Sequence, residues 1–132
     1  MENSKLPLSI LPDKLAICRL DKNTRIPSWA TNDDSFFSIT KTTDELSIVC
    51  SENNVPSEIG AEKGWRAFRV EGPLDFSLTG ILASLANPLS EAGIGIFAIS
   101  TYDTDYILVK DKDLEKTVKV LSTFCRVDFL SL

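Results

Sequence analysis

Short runs in which apolar residues predominate or alternate with polar ones predict strands in the first half of the chain. These runs are Leu15–Leu20, Phe36–Thr40 and Leu46–Ser51, and the segments between them are rich in Asp, Asn, Thr and Pro, which favour turns. The Lys41–Asp44 connection is short enough to join two strands as a hairpin, and Ile26–Ala30 is expected to add one helical turn. The first half is therefore predicted to contain three strands and little helix.

The second half alternates between strand and helix patterns. Strands are predicted at Trp65–Val70, Gly95–Ser100, Tyr106–Lys110 and Arg126–Leu130, and helices from Ser77 to about Ala92 and at Asp113–Phe124. The order strand, helix, strand, strand, helix, strand is that of a split βαβ, or ferredoxin-like, unit. Such a unit has a four-stranded antiparallel sheet that carries both helices on one face.

The first predicted helix has an apolar stripe at the spacing of a helix that packs on a sheet. The stripe consists of Leu78, Ile81, Leu82, Leu85 and Leu89. Pro88 is expected to bend or shorten the last turn, and Gly93 lies where a left-handed residue would end the helix. Asp113 is expected to cap the second helix.

The length of the chain, 132 residues, allows one core or two small cores. The segment Ser51–Gly64, which contains Pro56 and Gly60, is the best candidate for a joint. The predicted fold is α+β, with tandem ferredoxin-like halves at residues 1–60 and 61–132. The N-terminal half is expected to have reduced helix content.

Composition excludes several classes of function. The net charge is -5, which repels phosphate backbones, so nucleic-acid binding is not expected. The chain has no histidine, which removes the usual general base, metal ligand and partner of a nucleophile. An enzyme is therefore the least favoured class, and no cofactor is expected.

The cysteines and the N-terminus indicate a cytoplasmic protein. Cys18, Cys50 and Cys125 are far apart and odd in number, which favours buried thiols in a reducing compartment over disulfides or a zinc site. The apolar patch near the N-terminus is interrupted by Pro7 and Pro12, and is too short for a signal sequence or a membrane span.

The densest group of carboxylates lies around the Tyr102–Lys110 segment. Asp111 and Asp113 are expected to belong to a solvated turn and a helix cap. Asp103 and Asp105 lie in a hairpin that is rich in hydroxyl groups and that could present polar groups to a small molecule. A Mg²⁺ or Ca²⁺ loop is an alternative, although the glycine and distal glutamate of an EF-hand are missing.

In a split βαβ fold, the connection Gly72–Ile81 between the first strand and the first helix faces this hairpin. A helix N-terminus exposes backbone N–H groups that can receive a carboxylate, and Gly80 would leave room for close approach. The alternative is local: Asp75 or Ser77 caps the helix, and Gly80 packs against a strand.

The segments GPLDFSLTGI, residues 72–81, and FAISTYDTDYILV, residues 97–109, resemble the ACT-domain family. The closer resemblance is to the double-ACT subtype that includes the CASTOR arginine sensors. It spans nearly the whole chain, because Trp29-Ala30, Phe36–Ser38 and Asp44–Cys50 are similar to the first half of that subtype.

The resemblance implies a non-catalytic regulatory protein that binds an amino acid at an interface between ACT units, often to regulate a partner protein. It also implies a set of ligand-binding positions: Asp75, Leu78, Gly80, Ile81, Thr101, Tyr102 and Asp105. Leu78 stands where the arginine-binding sensors have an acidic residue. Since a buried guanidinium without a carboxylate is costly, a neutral or apolar amino acid is expected.

Two hypotheses about function follow. In the first, the protein is a ligand sensor: backbone amides near residues 78–80 take the ligand carboxylate and Asp105 pairs with its ammonium. In the alternative, it is a structural interaction module that binds no ligand and dimerises through exposed sheet edges.

Overall fold

The computed structural model describes residues 5–72 and 80–130, which form eight strands and two α-helices. The strands are β1 (Leu6–Ile10), β2 (Leu15–Leu20), β3 (Ser38–Lys41), β4 (Leu46–Ser51), β5 (Ala61–Val70), β6 (Phe97–Ser100), β7 (Asp105–Lys110) and β8 (Cys125–Phe129). The helices are α1 (Ile81–Glu91) and α2 (Leu114–Leu121). The predicted α+β class is confirmed.

The chain divides into two compact units. One, which we call the strand unit, is Asp13–Trp65. The other, which we call the helical unit, contains the described residues up to Pro12 and those from Arg66 onward. The expected halves differ from these units because the first strand belongs with the C-terminal residues, and because the change of unit falls within β5 rather than at residue 60.

The strand unit is an antiparallel sheet in the order β3, β4, β2 and the start of β5. β2 and β4 have the predicted bounds, and the predicted hairpin joins β3 to β4. The expected helical turn is a 3₁₀ turn at Ser28–Ala30. Its apolar face forms one core, whose buried members are Ala16, Cys18, Ala30, Leu46, Ile48, Cys50 and Val55.

The helical unit has the strand order β6, β7, β5, β1, β8. The order of its elements from β5 onward is the predicted one, but the prediction of an antiparallel sheet is wrong in one place. β1 lies between β5 and β8; it is antiparallel to β5 and parallel to β8. The last strand therefore does not pair with β5, as it would in a simple split βαβ unit.

β1 was not predicted, because Pro7 interrupts its short apolar run and proline usually excludes a central strand. Its ladder with β5 runs from Leu8 to Ile10, so the missing N–H of Pro7 falls just beyond the ladder. The Pro7 carbonyl still accepts a hydrogen bond of 3.0 Å from the Glu71 N–H. The proline therefore costs the sheet little.

Both helices cover the same face of the helical unit. Alternate residues of β1, β5 and β7 point to this face, and they share one core with residues from α1 and α2. The buried members of this core are Leu8, Ile10, Phe68, Val70, Leu85, Leu89, Ile94, Ile107, Val109, Leu121 and Cys125. The expectation that both helices lie on one face is thus confirmed for the described residues.

The first helix begins later than predicted. Gly80 has a φ of +82°, in the left-handed region, so a continuous helix cannot run through it, and α1 begins at Ile81. The helix continues through Pro88 to Glu91. The predicted left-handed cap is confirmed: Gly93 has a φ of +77°, and the Ile94 N–H donates to the Leu89 carbonyl at 2.9 Å.

The second helix is shorter than predicted, because a 3₁₀ turn at Asp111–Asp113 precedes it and the chain leaves it after Leu121. Asp113 is the N-cap residue, as predicted, but its carboxylate makes no capping hydrogen bond. Instead, its backbone carbonyl accepts a hydrogen bond of 2.7 Å from the Thr117 hydroxyl.

The prediction of buried, unpaired thiols is confirmed for Cys18, Cys50 and Cys125. Burial raises the pKa of each thiol, and the pKa of Cys50 reaches about 11 because burial acts together with Cys18 and Asp33. These thiols therefore stay protonated near neutral pH and are poor nucleophiles. None of the helices in the described part of the chain is long and apolar enough to cross a membrane.

We predict that Gly93→Ala destabilises the protein by about 1–2 kcal/mol, since a side chain in the left-handed region clashes with its own backbone. Gly95→Ala is the matched control: both glycines have free space at the Cβ position, but Gly95 has no positive φ. It should be neutral or stabilise by up to about 1 kcal/mol. Urea unfolding of the two variants measures the difference, and equal effects would contradict the role given to φ.

Candidate functional site

The turn between β6 and β7 is held by its own threonines. The Thr101 N–H donates to the Thr104 carbonyl at 2.8 Å, and the Thr101 hydroxyl donates to the same carbonyl at 3.0 Å. In return, the Thr104 N–H donates to the Thr101 hydroxyl oxygen at 3.2 Å. The Thr101 side chain, a predicted ligand contact, is thus engaged in fixing the shape of the turn.

The same turn is attached to the end of β5. Thr104 is 7% exposed, and its hydroxyl donates a hydrogen bond of 2.7 Å to the backbone carbonyl of Val70, the last residue of β5. The hairpin tip therefore lies beside the point at which the chain leaves β5 toward α1. The predicted proximity of the hairpin to residues 73–79 of the strand–helix connection concerns residues outside the described ones.

Asp105 is the first residue of β7 and is half-buried. The Ser100 hydroxyl donates to Asp105 Oδ1 at 2.6 Å, and the two residues are cross-strand partners. Among the described residues, no hydrogen bond to Oδ2 is found. Because side chains alternate along a strand, Asp105 lies on the same face as Ile107, which is the face that the helices cover.

The start of α1 supplies backbone donors on this face. Ser84 is the first residue whose N–H bonds back along the helix, to the Gly80 carbonyl at 2.8 Å, so the N–H groups of 81–83 have no acceptor within the helix. Gly80 is the N-cap and has no side chain to accept from them. The Ile81 side chain packs against the core, so only the backbone N–H of this predicted ligand contact is available to a ligand.

Gly80 occupies a position that requires glycine because of its backbone conformation. A Cβ at this position would meet no described atom within 4 Å, so among these residues Gly80 does not pack against a strand. The requirement for glycine comes from the positive φ that lets the chain turn into the helix. Asp75 and Leu78, the remaining predicted contacts in this connection, lie outside the described residues.

Tyr102 and Asp103 form the exposed tip of the hairpin. Tyr102 is 81% exposed, which is unusual for an aromatic side chain, and Asp103 is also exposed. Asp105 and Tyr102 therefore differ in setting. Asp105 is half-buried, whereas Tyr102 extends toward solvent.

The other two acidic residues that follow the hairpin lie in the 3₁₀ turn before α2, Asp111–Asp113, as predicted. Asp111 also pairs with Arg66 of β5 at 3.3 Å, a contact distant in sequence that was not predicted. Within residues 5–72 and 80–130, no group of three or more His, Cys, Asp and Glu side chains is arranged to hold a metal ion.

One charged pair next to the site was not predicted from the sequence. The Arg69 guanidinium donates to Glu71 Oε2 through Nε at 3.1 Å and Nη2 at 2.9 Å. Hydrogen bonding to Ser9 and to Arg69 lowers the pKa of the Glu71 carboxyl, against the opposing effect of burial. Glu71 thus remains ionised at the exit of β5.

Sequence reasoning also missed Ser100 and Thr104. Both belong to the polar segment that was singled out, but neither was assigned a role. Ser100 and Asp105 flank the turn, so their pairing across the hairpin could have been inferred from the hairpin itself. The bond from Thr104 to Val70 could not, since it depends on which strand lies next to β7.

Two family models match the chain. The model described as the ACT domain matches residues 60–123. A second model, described as an N-terminal domain, matches residues 13–58. The two matches together cover most of the described chain.

Curated relatives are similar over about two thirds of the chain. The cytosolic arginine sensor for mTORC1 subunit 1 of Bos taurus is 32% identical over 98 residues, which is 66% of this chain and 30% of that protein. The Homo sapiens protein CASTOR3P is 35% identical over 101 residues, or 67% of this chain and 62% of that protein. The chain thus matches less than two thirds of either relative.

A solved structure matches over almost its full length. Protein Atu0741 from Agobacterium tumefaciens is 40% identical, with a TM-score of 0.90, and the match covers 98% of this chain and 97% of that one. The arrangement of strands and helices described above is therefore shared with an experimentally solved relative.

We predict that Thr104→Val destabilises the protein by about 1–3 kcal/mol, because it leaves the Val70 carbonyl without its hydroxyl donor in a buried setting. Thr123→Val is the matched control, since the Thr123 hydroxyl also donates to a backbone carbonyl, that of Val120, but at an exposed site. It should change stability by less than about 0.5 kcal/mol. Denaturant unfolding compares them, and a neutral Thr104→Val would show that the attachment is dispensable.

Proposed function

Because the chain belongs to the ACT-domain family, we propose that it is a non-catalytic regulatory protein of the cytoplasm that binds an amino acid. The ligand lies between the strand–helix connection after β5 and the Thr101–Asp105 hairpin. Binding is passed on to a partner protein or to a second copy of the chain. The strand unit, Asp13–Trp65, serves as a reduced ACT half beside the complete ACT half of the helical unit.

The observation that carries this proposal is the setting of Asp105. Its carboxylate is half-buried on the helix-covered face, and one oxygen is held by Ser100 while the other has no described partner. A carboxylate fixed in this way is suited to pair with an ammonium group. Because the hairpin already orders the Asp105 carboxylate, binding of a ligand does not carry the entropic cost of ordering it.

The N–H groups at the start of α1 are complementary to the other end of an amino acid. The N–H groups of 81–83, which have no acceptor within the helix, and the positive end of the helix dipole favour a carboxylate, as at many anion sites. The bond from Thr104 to Val70 supports bringing the two ends together, because it holds the hairpin beside the exit of β5. An α-amino acid carries both required charges.

The choice of side chain rests on Leu78, which lies outside the described residues. The relatives are named arginine sensors. The resemblance described above implies that Leu78 stands where the arginine-binding sensors have an acidic residue. We therefore propose a neutral or apolar amino acid as ligand. The lack of histidine in these 132 residues supports binding over catalysis.

A thermal-shift screen against the twenty amino acids tests the proposal. A ligand at 100 times its Kd stabilises the folded state by about 2.7 kcal/mol, which is several degrees in Tm. A rise with at least one amino acid, confirmed by calorimetric titration, is expected. If none of the twenty gives a shift or a heat of binding, the protein is better described as a structural interaction module.

We predict that Asp105→Asn weakens binding of the amino acid found in that screen by about 10- to 100-fold, since a charge-assisted hydrogen bond contributes about 1.5–3 kcal/mol. Asp103→Asn, two residues away on the exposed tip, is the control and should bind as the unmodified protein does. Calorimetric titration measures both. Unchanged affinity in a folded Asp105→Asn variant would remove this residue from the site.

We predict that the unmodified protein binds leucine or isoleucine more tightly than arginine, and that Leu78→Glu shifts the preference toward basic amino acids. Burying an unpaired cation costs several kcal/mol, whereas one apolar contact is worth about 0.8 kcal/mol per methylene. Leu78→Met is the conservative control and should keep the order. Tighter binding of arginine by the unmodified protein would mean that Asp75 or Asp103 supplies the acid.

A further inference from the structure

An open cavity of about 510 Å³ lies between two turns of the strand unit. One turn follows β2, and in it the Thr24 N–H donates to the Asp21 carbonyl at 2.9 Å. The other joins β3 to β4, and in it the Thr42 N–H donates to the Glu45 carbonyl at 2.9 Å. The residues that line this cavity, which we call the lysine cavity, are Lys22, Asn23, Lys41, Thr42 and Thr43.

Each turn is fixed by one of its own side chains. Asp21 Oδ1 accepts a hydrogen bond of 2.9 Å from the Asn23 N–H. The Thr42 hydroxyl oxygen accepts from the N–H groups of Asp44 at 3.0 Å and Glu45 at 3.1 Å. Such bonds from side chain to backbone are typical of tight turns. The walls of the cavity therefore have a defined shape before any ligand enters.

The two turns are also joined to each other. Lys41, the last residue of β3, donates a hydrogen bond through Nζ to the backbone carbonyl of Lys22. A lysine ammonium has three donors, so two remain for a ligand. No partner of the Lys22 ammonium is found among the residues that the structure describes. The cavity thus has two cationic side chains, one of which is anchored.

The rest of the lining also offers hydrogen-bonding groups. Asn23 contributes an amide and Thr43 a hydroxyl, and within residues 5–72 and 80–130 neither side chain has a partner. The described lining contains no carboxylate. Two ammonium groups with further neutral donors match an anion that has several oxygen atoms, and lysine binds phosphate as a point charge.

Three carboxylates lie nearby in the sequence, and two of them are engaged elsewhere. Asp21 accepts from the Asn23 backbone, and Glu45 Oε1 lies 3.9 Å from Arg19 Nε. Asp44 is exposed and does not belong to the lining. The cavity is therefore locally positive, although the whole chain has a net charge of -5.

We propose that the lysine cavity binds a small phosphorylated compound that carries no aromatic base. The phosphate lies between the ammonium groups of Lys22 and Lys41, and the hydroxyl groups of a sugar or polyol bond to Asn23 and Thr43. The volume of about 510 Å³ is within the usual range for small-molecule sites and exceeds what one phosphate ion fills. Because no aromatic side chain is part of the described lining, a base would have no surface on which to stack.

This inference goes beyond the proposed function and does not depend on it. The lysine cavity belongs to the strand unit and shares no residue with the proposed amino-acid site. The tests use the full chain without added amino acid, so either proposal can fail while the other stands.

Titration with ribose 5-phosphate, followed in ¹H–¹⁵N NMR spectra, tests the site. Saturable shifts of the backbone signals of residues 22–23 and 41–43 are expected. Ribose without the phosphate should give none, because the ammonium groups then have no charged partner. Adenosine monophosphate, which adds a base to the same sugar phosphate, should bind no more tightly. Absence of saturable shifts at these residues, or tighter binding of adenosine monophosphate, would overturn the proposal.

Variants that each remove one positive charge give a second measurement. Lys22→Gln and Lys41→Gln should each weaken binding of ribose 5-phosphate about three- to tenfold, since each loses an ammonium–phosphate contact. Lys116→Gln, at an exposed position of α2, removes the same charge and should change the affinity less than about twofold. Lys22→Gln keeps the link between the turns, because only the Lys22 carbonyl takes part in it. Equal affinities of the three variants would mean that only the total charge matters, and would overturn the assignment of the cavity.

Discussion

Successive side chains of a strand point to opposite faces of the sheet. In the helical unit, one of these two faces must be apolar because α1 and α2 pack against it. The registers of β1, β5, β7 and β8 must all agree, because a slip of one residue in any of them would exchange a buried side chain for a polar one. The same rule brings Asp105 to the helix-covered face two residues before Ile107, at the end of the strand. The apolar layer ends at this first residue of β7, so the Asp105 carboxylate is only half-buried and can be tolerated there.

The hydrogen bond from the Thr104 hydroxyl to the Val70 carbonyl fixes the β6–β7 turn against the neighbouring strand. A hairpin tip is ordinarily the most mobile part of a sheet, because few contacts hold it. Here the hydroxyl of a buried threonine fixes the tip to a neighbouring strand, and the internal bonds of Thr101 fix its shape. The remaining polar groups of the turn are therefore held in a defined arrangement.

Much of this fold could be predicted from local patterns. β2 and β4 are short, largely apolar runs between turn-forming segments and were predicted to the residue, and Gly93 ends α1 as its position suggests. β1 was missed because Pro7 argues against a strand, and only the sheet reveals that the missing N–H falls outside the ladder. The parallel pair of β1 and β8 is non-local, and no periodicity carries such information. The candidate site divides in the same way. Asp105 was predicted from the hairpin motif, whereas the role of Thr104 depends on which strand lies next to β7.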